Sequence, residues 1–193
     1  MNPERRTLLA AMVACPTLLL PALPAAAAAR GMPQPLQLPP EGGFPNSAWP
    51  VLFYQDAYPA RTADLASLYE TEFAAHGWPP QWRYGMYPFD HFHSTAHEAL
   101  GIFSGHARVR LGGPHGRPLD VAAGDVLVLP AGTGHCALSS SDDFMMVGAY
   151  PRGQSWDMQR GDPAELEQVR HAIAQVPRPA LDPLGHPLQA FWP

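Results

Sequence analysis

Between residues 84 and 151 the chain repeats one unit: a short apolar or alternating run of four to seven residues, then a turn signal. Ala107, Val109 and Leu111 alternate with His106, Arg108 and Arg110, the pattern of a half-buried strand. Gly112-Gly113-Pro114-His115-Gly116 turns the chain, and Leu119-Asp120-Val121 resumes a strand. Gly124-Asp125 precedes Val126-Leu127-Val128-Leu129, an uninterrupted apolar run that requires burial on both faces. Phe144-Met145-Met146-Val147 follows a serine and aspartate turn. Strands this short and this closely spaced form an antiparallel sandwich or barrel. The 24 prolines in 193 residues exclude a long-helix architecture. With 46% hydrophobic residues, the chain has material for a single domain with a real core.

The flanks read differently. Residues 1–29 carry Arg5-Arg6 and then no charge from Thr7 to Ala29, ending in a run of alanines. This is the pattern of an export signal cut near Ala29, and Arg5-Arg6-Thr7-Leu8-Leu9 resembles the twin-arginine type. The rival reading, a membrane anchor, suffers from Pro16, Pro21 and Pro24 inside the apolar stretch, so no stable membrane insertion is expected after cleavage. The expected destination is the bacterial periplasm or another exported location. Removal of the signal takes Cys15 and leaves Cys136 alone, so no intrachain disulfide is expected.

Residues 30–50 hold six prolines and read as an extended arm. The barrel region is expected over 51–161, with Val51-Leu52-Phe53-Tyr54 as its first strand and a helix over 62–76. Asp162-Pro163-Ala164-Glu165 supplies a cap, a first-turn proline and a capping-box glutamate, so 162–193 reads as a C-terminal helix and tail. The net charge of −5, without lysine and without an arginine cluster, excludes nucleic-acid binding. No nucleophile-elbow or paired-carboxylate pattern supports covalent hydrolase chemistry.

Chemistry concentrates in one place. Three of the nine histidines, His91, His93 and His97, lie within seven residues, and Glu98 follows at once. In an extended segment His91 and His93 share a face, so both can reach one ion. Glu98 beyond a short turn can add an anionic oxygen, and His135, after Pro130-Ala131-Gly132-Thr133-Gly134, is placed to add a donor from another hairpin. Imidazole with carboxylate suits one divalent transition metal ion, whether iron, manganese, nickel, zinc or copper.

The spacing Gly85, His91-Phe92-His93, Glu98, Gly105 fits the first motif of the cupin superfamily without a gap. Gly124, Pro130, Gly132 and His135 fit the second, with Ser139 where asparagine is usual. The chain therefore resembles the cupins, and more closely the YjlB-type small cupins over about Pro50 to Asp157. The resemblance implies a mainly β, double-stranded β-helix or jelly-roll barrel, here with one N-terminal and one C-terminal helix, and a metal held by His91, His93, Glu98 and His135. It also implies a metalloenzyme acting on a small organic substrate, with dioxygenase-, isomerase- or decarboxylase-like chemistry; a non-catalytic metal- or ligand-binding envelope protein is the alternative.

Tyr84, His97 and Tyr150 are the candidate catalytic groups, with Arg83 and Trp156 as further residues of the barrel mouth. His97, next to Glu98, is expected on the opposite face, as is Cys136 next to His135. His76, His106, His115, His171 and His186 are expected on polar faces or loops. A small-molecule substrate is the expected partner, and a homodimer is allowed.

Overall fold

The computed structural model describes residues 31–193, so the export signal read in residues 1–29 lies outside the described residues. Among the described residues nine strands and two helices form two antiparallel sheets. The strands are β1 (Gln34–Leu36), β2 (Val51–Tyr54), β3 (Pro80–Tyr84), β4 (Glu98–Ser104), β5 (His106–Leu111), β6 (Arg117–Ala122), β7 (Val126–Leu129), β8 (His135–Ser140) and β9 (Met145–Ala149). The larger sheet runs β1-β2-β7-β4-β9-β3 and the smaller β6-β5-β8. Two antiparallel sheets closing on a shared interior make the jelly-roll barrel expected from the strand rhythm.

The larger sheet is buried on both faces, which is why β7 is apolar without interruption. Leu127 and Leu129 point into the barrel with Leu100, Ile102, Val109, Leu111 and Met146. Val126 and Val128 point outward and pack with Tyr69, Phe73 and Trp78. Helix α1 (Leu65–Ala75) covers that outer face with Leu65, Ala66, Tyr69 and Phe73. It starts later than the 62–76 reading because residues 59–62 form a turn, in which Thr62 Oγ1 donates to the Pro59 carbonyl at 2.6 Å. Asp64 then caps the helix, accepting from Ser67 N–H.

Two outer segments differ from the sequence reading. The proline-rich segment is not merely an arm, because Gln34–Leu36 pairs with β2 and takes the place expected for Val51–Tyr54 as first strand. Pro35 is tolerated since β1 is an edge strand, where its missing N–H removes no inner ladder bond. Leu36 and Leu38 enter the barrel core, and the buried Asn46 amide donates to the Gly112 carbonyl at 3.1 Å and accepts from Gly134 N–H at 3.1 Å. At the other end, Asp162 accepts from Ala164 N–H, and a short turn over Pro163–Glu165 leads into α2 (Leu166–Ala174). Val169 and Ile173 of α2 pack on Phe44 and Phe92.

The tail beyond α2 returns to the outer face of the larger sheet. Leu184, Leu188 and Trp192 join the same cluster as α1. His186, expected in solvent, is half-buried instead: it stacks on Tyr54 at 5.5 Å and its Nδ1 lies 3.4 Å from the buried Asp182 carboxylate.

Candidate metal centre

Strand parity decides which side chains enter the barrel. Glu98, Leu100 and Ile102 alternate along β4, and the two apolar ones belong to the interior cluster, while Ala99 belongs to the outer one. Glu98 therefore projects inward at the end of the strand. Across from it, residues 91–93 are not a full strand but are held by single bridges, His91 to His135 and Phe92 to Gln159. His91 N–H donates to the His135 carbonyl at 3.2 Å and His135 N–H returns the bond at 2.9 Å, which sets the two rings 4.1 Å apart.

His91, His93, Glu98 and His135 meet at one point, and each is at most 6% exposed. The donor nitrogens of the three histidines lie within 4.8 Å of one another, a group that could hold a metal ion. His93 Nε2 stands 3.3 Å from Glu98 Oε1, and His135 Nε2 stands 3.3 Å from Glu98 Oε2. Each Nδ1 faces a backbone carbonyl: Phe89 for His91 at 3.1 Å, Asp157 for His93, and Thr133 for His135 at 2.9 Å. Each Nδ1 is thus directed at a backbone acceptor, and the Nε2 atoms of His93 and His135 are turned to the Glu98 carboxylate.

The electrostatics call for positive charge at that centre. Burial alone would raise Glu98, yet His93 and His135 hold it well below the usual carboxylate range. Burial works to lower His93, but the Glu98 carboxylate outweighs it and the net shift is upward. His91 is pushed down to about 3, first by burial and then by His135. Glu98 Oε2 is buried without a hydrogen bond, 3.3 Å from His135 Nε2. Three converging imidazoles and a buried carboxylate are the donor set of a divalent transition metal, so the residues present fit such an ion.

Tyr150, 1% exposed, donates to Glu98 Oε1 at 2.7 Å and accepts from Trp82 Nε1 at 3.0 Å. Burial and the adjacent carboxylate raise its pKa, so the phenol keeps its proton. Its role in this geometry is to hold the carboxylate. Tyr84 is 60% exposed at the rim of a cavity of about 300 Å³ that opens onto the cluster.

His97 is not part of this arrangement. Its ring crosses to the other side, 5.7 Å from Trp49 and 5.0 Å from Trp192, and its Nδ1 accepts from Ala131 N–H at 2.9 Å. Burial pushes it down to about 4. As a candidate catalytic group it is therefore set aside. Cys136 also points away from the centre: it is buried, and burial with the nearby Asp90 carboxylate pushes its thiol up to about 11.

The sequence was compared with known proteins. No family model matches it. The uncharacterized protein YjlB of Bacillus subtilis (strain 168) is 38% identical over 158 residues, covering 80% of this chain and 93% of that protein. The chain is a cupin of the YjlB family. Solved structures similar to this cupin include acireductone dioxygenase from Bacillus anthracis with cadmium in its active center, at 14% identity and a TM-score of 0.38 over 56% of this chain and 82% of that one. Oxalate decarboxylase of Lactobacillus farciminis aligns at 15% identity and a TM-score of 0.32, over 67% of this chain and 34% of its own. Procruciferin of Brassica napus aligns at 17% and 0.35, over 50% and 29%. Likenesses at that level carry no argument about the activity of this YjlB-family cupin.

Three supports of the cluster escape a reading of the sequence. Asp157 lies 64 residues from His93, to whose Nδ1 it offers its carbonyl, and its carboxylate accepts from Ser94 N–H at 2.6 Å. Nothing in the local pattern around Asp157 signals this. Trp82 is the second, through its bond to Tyr150. Gly148 is the third: a Cβ there would stand 2.0 Å from the Trp82 ring. The glycine lets the indole lie flat on β9. Gly148→Ala is expected to displace Trp82 and lower the unfolding free energy of this cupin by about 1–3 kcal/mol, measurable by urea denaturation. A stability equal to the parent protein would mean that the indole does not need that space.

Proposed function

We propose that this cupin is a mononuclear metalloenzyme acting on a small organic molecule, with His91, His93, Glu98 and His135 as the ligand set. The observation that carries the reading is the geometry: three buried histidines with donor nitrogens within 4.8 Å of one another, each Nδ1 against a backbone carbonyl, and His93 and His135 Nε2 each 3.3 Å from one buried carboxylate. An ion bound there would supply Lewis acidity or oxygen activation for dioxygenase-, isomerase- or decarboxylase-like chemistry. The chain's own residues orient that centre. Tyr150 fixes one Glu98 oxygen, and Asp157 fixes the ring of His93. Tyr84, exposed at the rim, is the phenol free to meet a bound molecule. Export through residues 1–29 is part of the proposal and rests on Arg5-Arg6 and the uncharged stretch after it.

A non-catalytic binding protein is the second reading. It is favoured by the wall of the cavity, where Trp82, Leu100, Met86 and Met146 are apolar. Elemental analysis of protein purified without chelator tests the metal premise, with about one transition-metal ion per chain expected. Protein that stays metal-free after incubation with iron, manganese, nickel, zinc and copper salts would remove the metalloenzyme reading and leave only an organic-ligand-binding protein. Turnover of any small substrate by the loaded protein, lost on chelation, separates the first from the second.

A further inference from the structure

Six large apolar side chains are exposed among the described residues, and four of them, Tyr84, Tyr87, Trp156 and Met158, border the cavity above the histidine–carboxylate cluster. Large apolar groups gathered in water around a polar centre mark a surface that a ligand covers. Their placement is specific. Tyr87 meets His91 edge-on at 5.4 Å and stacks on Phe89 at 4.9 Å. Trp156 lies 5.5 Å from His93 and stacks on Tyr150 at 6.0 Å, 24° from parallel. A ring entering the cavity thus has an aromatic side chain beside each of two histidines.

Charge narrows the ligand further. Among the described residues the only arginine on the cavity wall is Arg83, and Glu70 already holds it, with Nε to Oε1 at 2.6 Å and Nη2 to Oε2 at 2.7 Å. Lysine is absent from the chain. A carboxylate or phosphate entering here would find no free arginine or lysine on the wall to pair with. The volume is ample for a ring, since a cavity of about 150 Å³ holds benzene, and this one is about 300 Å³.

We infer that the cavity takes a small uncharged aromatic molecule, its ring against Trp156 and Tyr87 and a hydroxyl directed at the cluster, in preference to a compact dianion. The hydroxyl end of this inference rests on the metal reading above; the ring end does not. The test is calorimetric titration of the full chain with catechol and with oxalate, after its metal content has been measured. Catechol is expected to bind about tenfold more tightly than oxalate. Trp156→Ala and Tyr87→Ala are each expected to weaken catechol about tenfold, with unchanged metal content, while Trp156→Phe retains most of the affinity.

Oxalate binding as tightly as catechol would overturn the inference. So would alanine variants that bind catechol like the parent protein, even with a metal ion in place. If the protein takes up no metal and catechol still binds in a Trp156-dependent way, the metal reading falls and the aromatic site stands. Failure of catechol to bind either the loaded or the metal-free chain removes the aromatic site as well.

Discussion

His135→Ala is expected to abolish metal retention, taking the metal content from about one ion per chain to a trace. His135 contributes on two levels. Its Nε2 faces Glu98 Oε2 at 3.3 Å, and its backbone holds His91 in place through a pair of hydrogen bonds. Alanine keeps the second contribution and removes the first, so the loss reads the imidazole alone. The comparison variant is His97→Ala. His97 precedes Glu98 directly, yet its ring lies against Trp49 and Trp192 rather than in the cavity. That variant is expected to keep most of the metal and to lose stability through the hole left behind, about 2–4 kcal/mol. Elemental analysis and urea denaturation of both proteins separate the two effects. Equal and complete loss of metal from both would mean that the ligand set is wrong.

Trp192→Ala is expected to cost about 3–5 kcal/mol of unfolding free energy. The indole is fully buried and stacks on Trp49 at 5.4 Å with the rings 4° from parallel. Its Nε1 donates to the Pro50 carbonyl at 2.9 Å, and Arg178 Nη1 donates to the Trp192 carbonyl. Truncation therefore empties a volume, unstacks Trp49 and His97, and leaves the Pro50 oxygen without its donor. Trp192→Phe should recover most of the packing and none of the Pro50 bond. A shift of less than about 1 kcal/mol in the urea midpoint free energy of Trp192→Ala would show that the tail is only loosely held.

The barrel strands were legible because their signal is local. The alternation in His106–Leu111 appears as alternating exposure, and the apolar run Val126–Leu129 appears as a strand buried on both faces. The meeting of His91 with His93 was also legible, since residues two apart in an extended chain share a face. The same rule sent His97 to the opposite side of the sheet from Glu98. What could not be read depends on contacts between distant positions. Gln34–Leu36 becomes a strand only because β2 offers it an open edge, and two prolines beside it argued against that. The Asp157 carbonyl that fixes His93 comes from a loop with no pattern of its own. His186 looked like a surface residue until Tyr54 and the buried Asp182 enclosed one side of its ring. Tyr150 was readable as an aromatic near the mouth, but its bonds to Glu98 and Trp82 reach across 52 and 68 residues and leave no local trace.

The two apolar layers of the larger sheet are completed at different points along the chain. Every buried member of the layer inside the barrel lies between Leu36 and Met146, whereas the layer outside it draws on Leu184, Leu188 and Trp192. A ribosome therefore releases all the material of the inner layer well before it delivers the outer one. During that interval the nascent chain can collapse around its interior while Leu52, Val126 and Val147 still lack the cover of Leu184, Leu188 and Trp192. The inner layer holds all its buried members without the tail, whereas the outer one is incomplete until Leu184, Leu188 and Trp192 are laid against it.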